Sequence, residues 1–171
     1  SGQGRRVVFF PGSSLGNFNP EQSVDFIANA ARLIGPGGGM LFGIDLKKDA
    51  AILDAAYDDA AGVTAEFNLN VLRRVNDELG GNFNLDGFTH DARWVPDQGR
   101  IEMHLVSDWE QEVRVDGHSF TFAAGESIHT EDSHKYDVEE FHALAAKAGW
   151  RAFRHWTDAN NLFSLHYLRV A

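Results

Sequence analysis

The first 46 residues alternate between two kinds of apolar pattern, and this alternation constrains the fold more than any other feature. Short apolar, β-favouring runs extend from Val7 to Phe10 and from Met40 to Leu46. Between them, apolar residues recur at helical spacing after Asn19-Pro20, and Gly35-Pro36 ends the pattern. A strand, a helix and a strand in this order predict a βαβ unit with two parallel strands.

The C-terminal part of the chain has the same kind of pattern, a helix combined with short apolar strands. Asp137 and Glu140 have the spacing of a capping box, and the apolar stripe that follows ends at Gly149. Two more strands are predicted, from Trp150 to Trp156 and from Leu162 to Val170. Both ends of the chain therefore predict α/β structure.

The middle of the chain has a different pattern. Asp49 is a candidate cap for a short helix, and a longer helix is predicted from Gly62 to Leu79. Alternating residues between Ile101 and Val115, with a hairpin signal at Asp116-Gly117, then predict a meander of strands. The apolar residues of the longer helix are close to one stripe and comprise Val63, Phe67, Val71, Val75 and Leu79.

These patterns predict an α/β domain made of residues 5–48 and 137–171, interrupted by an α+β insertion at 49–136. Two strands before the insertion and two after it would leave the edge of a parallel sheet open. We therefore expect N-terminal strands to be absent from this chain or supplied by another; a four-stranded sheet standing alone is the alternative. An open edge beside Val7 to Phe10 also predicts self-association. Residues 1–4 look like a leader and take no part in the predicted fold.

Composition excludes several classes of function. The net charge of −10 argues against binding nucleic acid or anionic membrane, which needs clustered positive charge. No cysteine is present, which excludes disulfides, thiolate zinc sites and cysteine nucleophiles. We see no membrane span and no signal peptide, and we expect a cytoplasmic location.

Two glycine-rich segments have opposite contexts. The run Gly35 to Gly39 closes a helix and opens a strand, so it is a turn and not a phosphate loop, and no Gly-x-Gly-x-x-Gly motif follows a strand. The segment Gly12 to Phe18 follows a strand and precedes a helix, where ligands bind in open α/β sheets. Its Asn17 offers an amide to a carboxylate; an asparagine that braces the turn is the alternative.

The eight histidines form no recognised zinc signature, so no metal is predicted. His104 and His166 alternate along predicted strands and are interpreted as solvent-facing or hydrogen-bonded. The segment Ile128 to Tyr136 is rich in hydrogen-bonding side chains and has a solvated loop as its simplest interpretation. Asp58 and Asp59 are interpreted as surface charge.

An ordered set of stretches covering nearly the whole chain resembles the L-histidine Nα-methyltransferases of ergothioneine biosynthesis. No single motif is specific, but the ordered set is. The stretches are Phe9–Phe18, Gly37–Asp49, Ala55–Asp59, Phe67–Asn70, Arg100–Leu105 and Gly125–Glu131.

The resemblance implies a class I S-adenosylmethionine-dependent methyltransferase, Rossmann-like, with an inserted substrate domain. That family transfers three methyl groups to the α-amine of histidine, giving hercynine, with S-adenosylmethionine as methyl donor and no metal or catalytic side chain. By resemblance, Asn17 binds the substrate carboxylate with help from Tyr57, Glu131 and Ser133 bind the imidazole, and the pocket is shaped or lined by Gly12, Ser14 and Met103. The family's acidic-Gly-x-Gly cofactor loop is not in this chain, so the resemblance covers the substrate-binding C-terminal part, which we expect to be inactive alone.

Two other functions stay open at this point. One is a related methyltransferase that acts on another amino acid or amine. The other is a non-catalytic module that binds an amino acid without the methyl donor.

Overall fold

The computed structural model describes residues 5–171, so the predicted leader at residues 1–4 lies outside the described residues. It contains nine strands and four α-helices within that range. In chain order these are β1 (Val7–Phe10), α1 (Pro20–Ile34), β2 (Gly39–Asp45), α2 (Ala50–Tyr57), α3 (Val63–Leu79), β3 (Phe88–Val95), β4 (Arg100–Ser107), β5 (Gln111–Val115), β6 (His118–Phe122), β7 (Ser127–His134), α4 (Val138–Lys147), β8 (Trp150–Thr157) and β9 (Phe163–Val170).

The chain divides into two compact units. The first unit comprises the residues up to Lys48 together with Pro96–Arg100 and Asp132–Ala171. The second unit comprises Asp49–Val95 and Ile101–Glu131.

The sheet of the first unit has the order β1-β2-β9-β8. The βαβ prediction is confirmed, because β1 and β2 are parallel and joined through α1. Counting all four strands toward a parallel sheet is wrong for one of them, since β9 runs antiparallel to both β2 and β8. The short connection between β8 and β9 explains this, because parallel neighbours need a crossover of a dozen or more residues.

The two helices of the first unit begin at the predicted caps. Asn19 and Gln22 form a capping box at the start of α1, and Asp137 and Glu140 form another at the start of α4. Gly35, with φ of 78°, ends α1 in a conformation that side chains disfavour. The core that these helices share with the sheet comprises Leu15, Ile27, Ala31, Met40, Phe42, Ile44, Leu46, Tyr136, Phe141, Leu144, Ala145, Ala148, Trp150 and Leu168.

The second unit contains α2, α3, most of a three-stranded sheet in the order β3-β4-β7, and the hairpin β5-β6. Asp116 and Gly117 both have positive φ, as the predicted two-residue hairpin turn requires. The interpretation of Ile128 to Tyr136 as a solvated loop is wrong over most of its length, because Ser127–His134 is a strand. A high content of hydrogen-bonding side chains does not distinguish a solvated loop from a strand with one polar face.

Helix α3 is present as predicted, but the buried side is not the apolar stripe. Val63, Phe67, Val71 and Leu79 are exposed, whereas Asn68 and Leu72 are buried. Positions four apart advance by about 400° on a helix of 3.6 residues per turn, so a row of five drifts around the helix by about 160°. No helix among residues 5–171 is long and apolar enough to cross a membrane.

Candidate functional site

The seven residues that the resemblance implies for the site are divided between the two units. Gly12, Ser14, Asn17 and Ser133 belong to the first unit. Tyr57, Met103 and Glu131 belong to the second. Each group is therefore described within its own unit.

The loop after β1 presents its predicted residues on the surface. Gly12, Ser14 and Asn17 are exposed, and the last two lie in a single 3₁₀ turn, Ser14–Asn17. Leu15 and Gly16 of the same turn are buried and anchor it. A polar residue on a buried anchor is held in place while its functional group stays accessible, which suits ligand binding.

A close backbone contact fixes this loop against the end of β7. A Cβ added to Gly16 would lie 2.6 Å from the carbonyl oxygen of His134, so only glycine fits there. Gly16 precedes Asn17, and His134 follows Ser133. The first unit thus brings the candidate carboxylate-binding loop next to the strand end that carries Ser133.

A buried lysine links Ser133 to the end of β2. The ammonium group of Lys135 lies 2.7 Å from a carboxylate oxygen of Asp45 and 2.8 Å from Oγ of Ser133. Asp45 ends β2, and the parallel strands β1 and β2 end at the same edge of the sheet. This is the edge at which open α/β sheets bind ligands.

The lysine also fixes the hydrogen-bonding role of Ser133. An ammonium group only donates, so Ser133 Oγ is the acceptor of this bond.

In the second unit, Tyr57 and Met103 belong to one apolar cluster. Met103 is buried with Leu53 and Ile101, and the half-buried Tyr57 packs against them. Glu131 lies on β7 and is half-buried. It stands two positions before Ser133 in the sequence.

A buried polar network holds the end of α2 and was missed by the sequence reasoning. Asn68 Nδ2 lies 2.9 Å from His90 Nδ1 and donates to the carbonyl oxygen of His104 at 3.1 Å. His90 Nε2 lies 2.8 Å from the carbonyl oxygen of Tyr57. Since the Asn68 amide donates to Nδ1, the proton of His90 is on Nε2 and is donated to Tyr57. A polar residue in the middle of a helical pattern was the available signal.

A cavity of about 810 Å³ lies elsewhere in the first unit. His134, Lys135 and Tyr136 line it together with residues of α1 and α4, but the four predicted residues of this unit do not. Burial lowers the pKa of the His134 imidazole and raises the pKa of the Tyr136 phenol, so both side chains are neutral near pH 7.

The structure distinguishes between the two interpretations of His104 and His166. Both are buried and hydrogen-bonded rather than solvent-facing. His166 lies 3.0 Å from His142 and 2.7 Å from Ser164, measured between polar atoms. Burial, with the neighbouring imidazoles of His142 and His155, lowers the pKa of His166 to about 3.

Asp59 contributes to the start of α3. Its carboxylate accepts hydrogen bonds from the backbone N–H groups of Val63 and Thr64. Hydrogen bonds from Thr64 and Val63 lower the pKa of this carboxyl group to about 2.

Two solved structures of low sequence identity share this fold. The CcbJ methyltransferase from Streptomyces caelestis matches with a TM-score of 0.51 at 16% identity, over 100% of this chain and 64% of the other. An S-adenosylmethionine-dependent methyltransferase from Clostridium acetobutylicum matches with a TM-score of 0.50 at 9% identity, over 100% of this chain and 61% of the other. The fold is therefore an α/β fold resembling that of S-adenosylmethionine-dependent methyltransferases.

Comparison of the sequence with protein-family models shows the family to which the chain belongs. A family model described as a histidine-specific, S-adenosylmethionine-dependent methyltransferase matches residues 1–170. The chain belongs to this family, and the resemblance found from the sequence is confirmed.

Named relatives agree with this membership. The histidine N-alpha-methyltransferase of Mycolicibacterium smegmatis is 47% identical over 164 residues, which cover 95% of this chain and 51% of that protein. The corresponding Mycobacterium tuberculosis protein is 45% identical over the same shares. Ergothioneine biosynthesis protein 1 of Neurospora crassa is 31% identical over 96% of this chain and 18% of that protein. The chain spans about half the length of the two mycobacterial relatives.

Proposed function

We propose that this chain is the substrate-binding part of an enzyme that methylates the α-amine of L-histidine, with S-adenosylmethionine as methyl donor and hercynine as product. The observation that carries the proposal is the anchored loop after β1, which presents Asn17 beside the strand end of Ser133 and Lys135. The family and the 47% identical relative support the same reaction.

Asn17 is the proposed partner of the substrate carboxylate. It is exposed on a turn whose neighbours Leu15 and Gly16 are buried. An amide N–H donates to a carboxylate without carrying a charge of its own. Every α-amino acid has this carboxylate, so Asn17 supplies affinity and not side-chain selectivity. Gly12 and Ser14 are proposed to shape the same loop.

Glu131 and Ser133 are the proposed partners of the imidazole. A neutral imidazole has one N–H that donates and one nitrogen that accepts. Glu131 is an acceptor when ionised, and the hydroxyl group of Ser133 is of a type that can donate. One acceptor and one donor, two positions apart on β7, match the two nitrogens. Side chains without them would leave these polar groups unpaired, which disfavours their binding.

Tyr57 and Met103 are the proposed contacts with the remainder of the substrate. They share an apolar cluster with Leu53, so their positions depend on packing in the second unit. The phenol of Tyr57 can donate to the carboxylate, and Met103 offers an apolar wall.

Methyl transfer from a sulfonium to an amine needs orientation more than chemical assistance. The reaction is an in-line displacement, and holding both reactants in line lowers its barrier through proximity. The attacking amine must be neutral, and the carboxylate and imidazole contacts fix where that amine lies.

The residues of this chain do not fit the usual cofactor loop. No β-strand among residues 5–171 is followed by a Gly-x-Gly-x-x-Gly segment that opens a helix. S-adenosylmethionine supplies the activated methyl group when it is bound, and we assign none of these residues to hold it.

A chimera tests the proposal. Residues 5–171 replace the matched region of the Mycolicibacterium smegmatis relative, and the product is incubated with S-adenosylmethionine and a mixture of L-amino acids. We expect histidine to gain methyl groups on its α-amine, detected by mass spectrometry, and calorimetry to show histidine binding. The unaltered relative is the positive control.

The other outcomes would overturn the proposal in distinct ways. Methylation of a different amino acid would replace histidine as the substrate. Histidine binding without methylation, while the unaltered relative remains active, would indicate a non-catalytic binding module. If a chimera with a native circular dichroism spectrum neither bound nor methylated histidine, the proposed function would be rejected.

A further inference from the structure

Three side chains of the second unit come together on one part of the β4–β7 sheet. They are Glu102 and His104 of β4 and His129 of β7. One ligand atom of each lies within 4.8 Å of the others. No role in amino acid binding has been assigned to any of the three.

We propose that Glu102, His104 and His129 form a binding site for a transition-metal cation of the Zn²⁺ type. Two imidazoles and a carboxylate are a known ligand set for Zn²⁺, which leaves a fourth position for water. The inference does not depend on the proposed methyltransferase function.

The distances suit a metal of this size. Ligand atoms about 2.0–2.1 Å from a tetrahedral zinc are separated by about 3.3 Å. Glu102 Oε2 and His104 Nε2 are 3.1 Å apart, which is already close to this spacing. His129 is exposed, so its ring has space for the rotation needed to complete the set.

The two imidazoles are already arranged face to face. The rings of His104 and His129 are stacked, with centroids 4.7 Å apart and an angle of 17° between their planes. A metal ion lies in the plane of each imidazole that binds it, so the exposed His129 ring must turn out of this stack for both rings to bind one ion. The strands thus supply the proximity of the three side chains, and rotation of His129 completes the site.

A second observation supports a ligand role for His104. Its other nitrogen, Nδ1, lies 3.1 Å from Oγ of Ser127. A histidine that binds metal through one nitrogen normally has the other held by a hydrogen-bonding partner, which fixes the ring. When Nε2 binds the metal, the ring proton is on Nδ1 and is donated to Ser127, whose hydroxyl can also accept.

The cluster of Glu102, His104 and His129 is partly buried, which favours ion binding more than a fully solvated cluster would. His104 is 6% exposed and Glu102 is half-buried, whereas His129 faces solvent. The cation would therefore enter from the His129 side and displace little structure. We infer that it ties β4 to β7 and stabilises the second unit.

Calorimetric titration of the full chain with Zn²⁺, after treatment with a chelator, tests the site. We expect one Zn²⁺ per chain and a rise in melting temperature on binding. His129→Ala should weaken binding at least tenfold, and Ser127→Ala should weaken it by roughly tenfold or more. The matched control is His118→Ala, an exposed histidine of the β6 strand, for which affinity should change less than twofold.

Cobalt provides a second readout that does not depend on stability. Co²⁺ bound by two imidazoles and a carboxylate should give visible absorption bands that His129→Ala abolishes and His118→Ala retains. Absence of Zn²⁺ binding by the unaltered chain would overturn the proposal. Binding that His129→Ala leaves unchanged would also overturn it, because the ion would then occupy another place.

Discussion

The ammonium nitrogen of Lys135 lies 2.7 Å from a carboxylate oxygen of Asp45, and the Lys135 side chain is only 1% exposed. This ion pair joins the end of β2 to the residue that follows β7. Lys48 contacts the other carboxylate oxygen of Asp45 at 2.5 Å. A buried charge needs such partners, because removing one partner of a buried pair leaves the other uncompensated.

Replacing Lys135 should destabilise the first unit. Lys135→Met keeps the length of the side chain but removes the charge that Asp45 and Ser133 contact. We expect the free energy of unfolding to fall by about 3 kcal/mol, as for other broken buried pairs. Urea denaturation is the measurement, and the exposed Lys147→Met is the control, with an expected change within about 0.5 kcal/mol. Equal effects of the two substitutions would contradict the role of Lys135.

Substitutions of the residues proposed to bind the two ends of the substrate should weaken binding for different reasons. Asn17→Asp places a negative charge where the substrate carboxylate is proposed to bind, whereas Glu131→Gln keeps size but removes the charge proposed to accept the imidazole N–H. A hydrogen bond to a charged group contributes about 1.5–3 kcal/mol, and 1.4 kcal/mol is a factor of ten in affinity. In the chimera, both changes should weaken histidine binding by roughly ten- to a hundredfold.

Specificity separates the two roles. Asn17→Asp should weaken binding of every α-amino acid alike, because all share the carboxylate. Glu131→Gln should weaken histidine more than an amino acid of similar shape without imidazole nitrogens. Dissociation constants, measured by calorimetry, that rise equally for both ligands in the Glu131 variant would remove the case for Glu131 at the imidazole.

The loop after β1 depends on a glycine of the neighbouring strand. A Cβ added to Gly43 would lie 1.9 Å from the carbonyl oxygen of Pro11, so Gly43→Ala must displace the backbone that leads into the loop. We expect a loss of about 1–3 kcal/mol in unfolding free energy. Gly12→Ala is the control, since a Cβ there meets nothing within 4 Å. Gly43→Ala at native stability would show that the loop is not held in this way.

Signals between neighbouring residues predicted the helices and strands, and the residues that begin the helices show why. Asn19 with Gln22 and Asp137 with Glu140 form the capping boxes that begin α1 and α4. Caps and turns involve residues within a few positions of each other, so the sequence carries them directly. The family's candidate residues came from the order of stretches along the chain and not from any of these local signals.

Contacts between residues far apart in the sequence could not be predicted from such local signals. The contact of Gly16 with His134 and the pair of Lys135 with Asp45 join residues about 90 or more positions apart. Nothing in the spacing of either residue indicates its partner. The cluster of Glu102 with His129 was missed for this reason, because a zinc signature on one element is what sequence reasoning looks for.

The open edge of β1 should lead to self-association. β1 pairs only with β2 in the sheet of the first unit, as far as the described residues extend, and its Val7 and Phe9 are 51% and 69% exposed. An exposed, apolar edge strand recruits other strands. Sedimentation of this chain should show dimers or larger species at high concentration.

A charge on the edge should reduce this association. Phe9→Lys places a lysine on the edge strand, which is how natural sheets blunt such edges. Leu33→Lys, at an exposed apolar position of α1, is the control that makes the same change of charge at another exposed apolar side chain. A chain that is monomeric at all concentrations, or equal loss of association in both variants, would contradict the role of the edge.

The buried His166 should make the protein sensitive to acid. Its pKa is about 3 in the folded protein, against 6.5 for an ordinary histidine, because burial and the neighbouring imidazoles of His142 and His155 disfavour the charged form. Above pH 6.5 neither state binds this proton, so His166 gives no pH dependence. Between pH 6.5 and pH 3 the unfolded chain binds one more proton than the folded protein, so the unfolding free energy falls as pH falls. One proton corresponds to a slope of at most about 1.4 kcal/mol per pH unit.

Urea denaturation between pH 4 and pH 8 measures this slope. His166→Gln keeps a hydrogen-bonding side chain near His142 and Ser164 but cannot be protonated, so its slope between pH 4 and pH 6 should be smaller than that of the unaltered chain by up to one proton. Comparison of slopes separates this effect from any overall loss of stability that the substitution causes. His118→Gln, at an exposed position of β6, should retain the slope of the unaltered chain. If His166→Gln also retains it, the acid sensitivity arises from groups other than the buried imidazole.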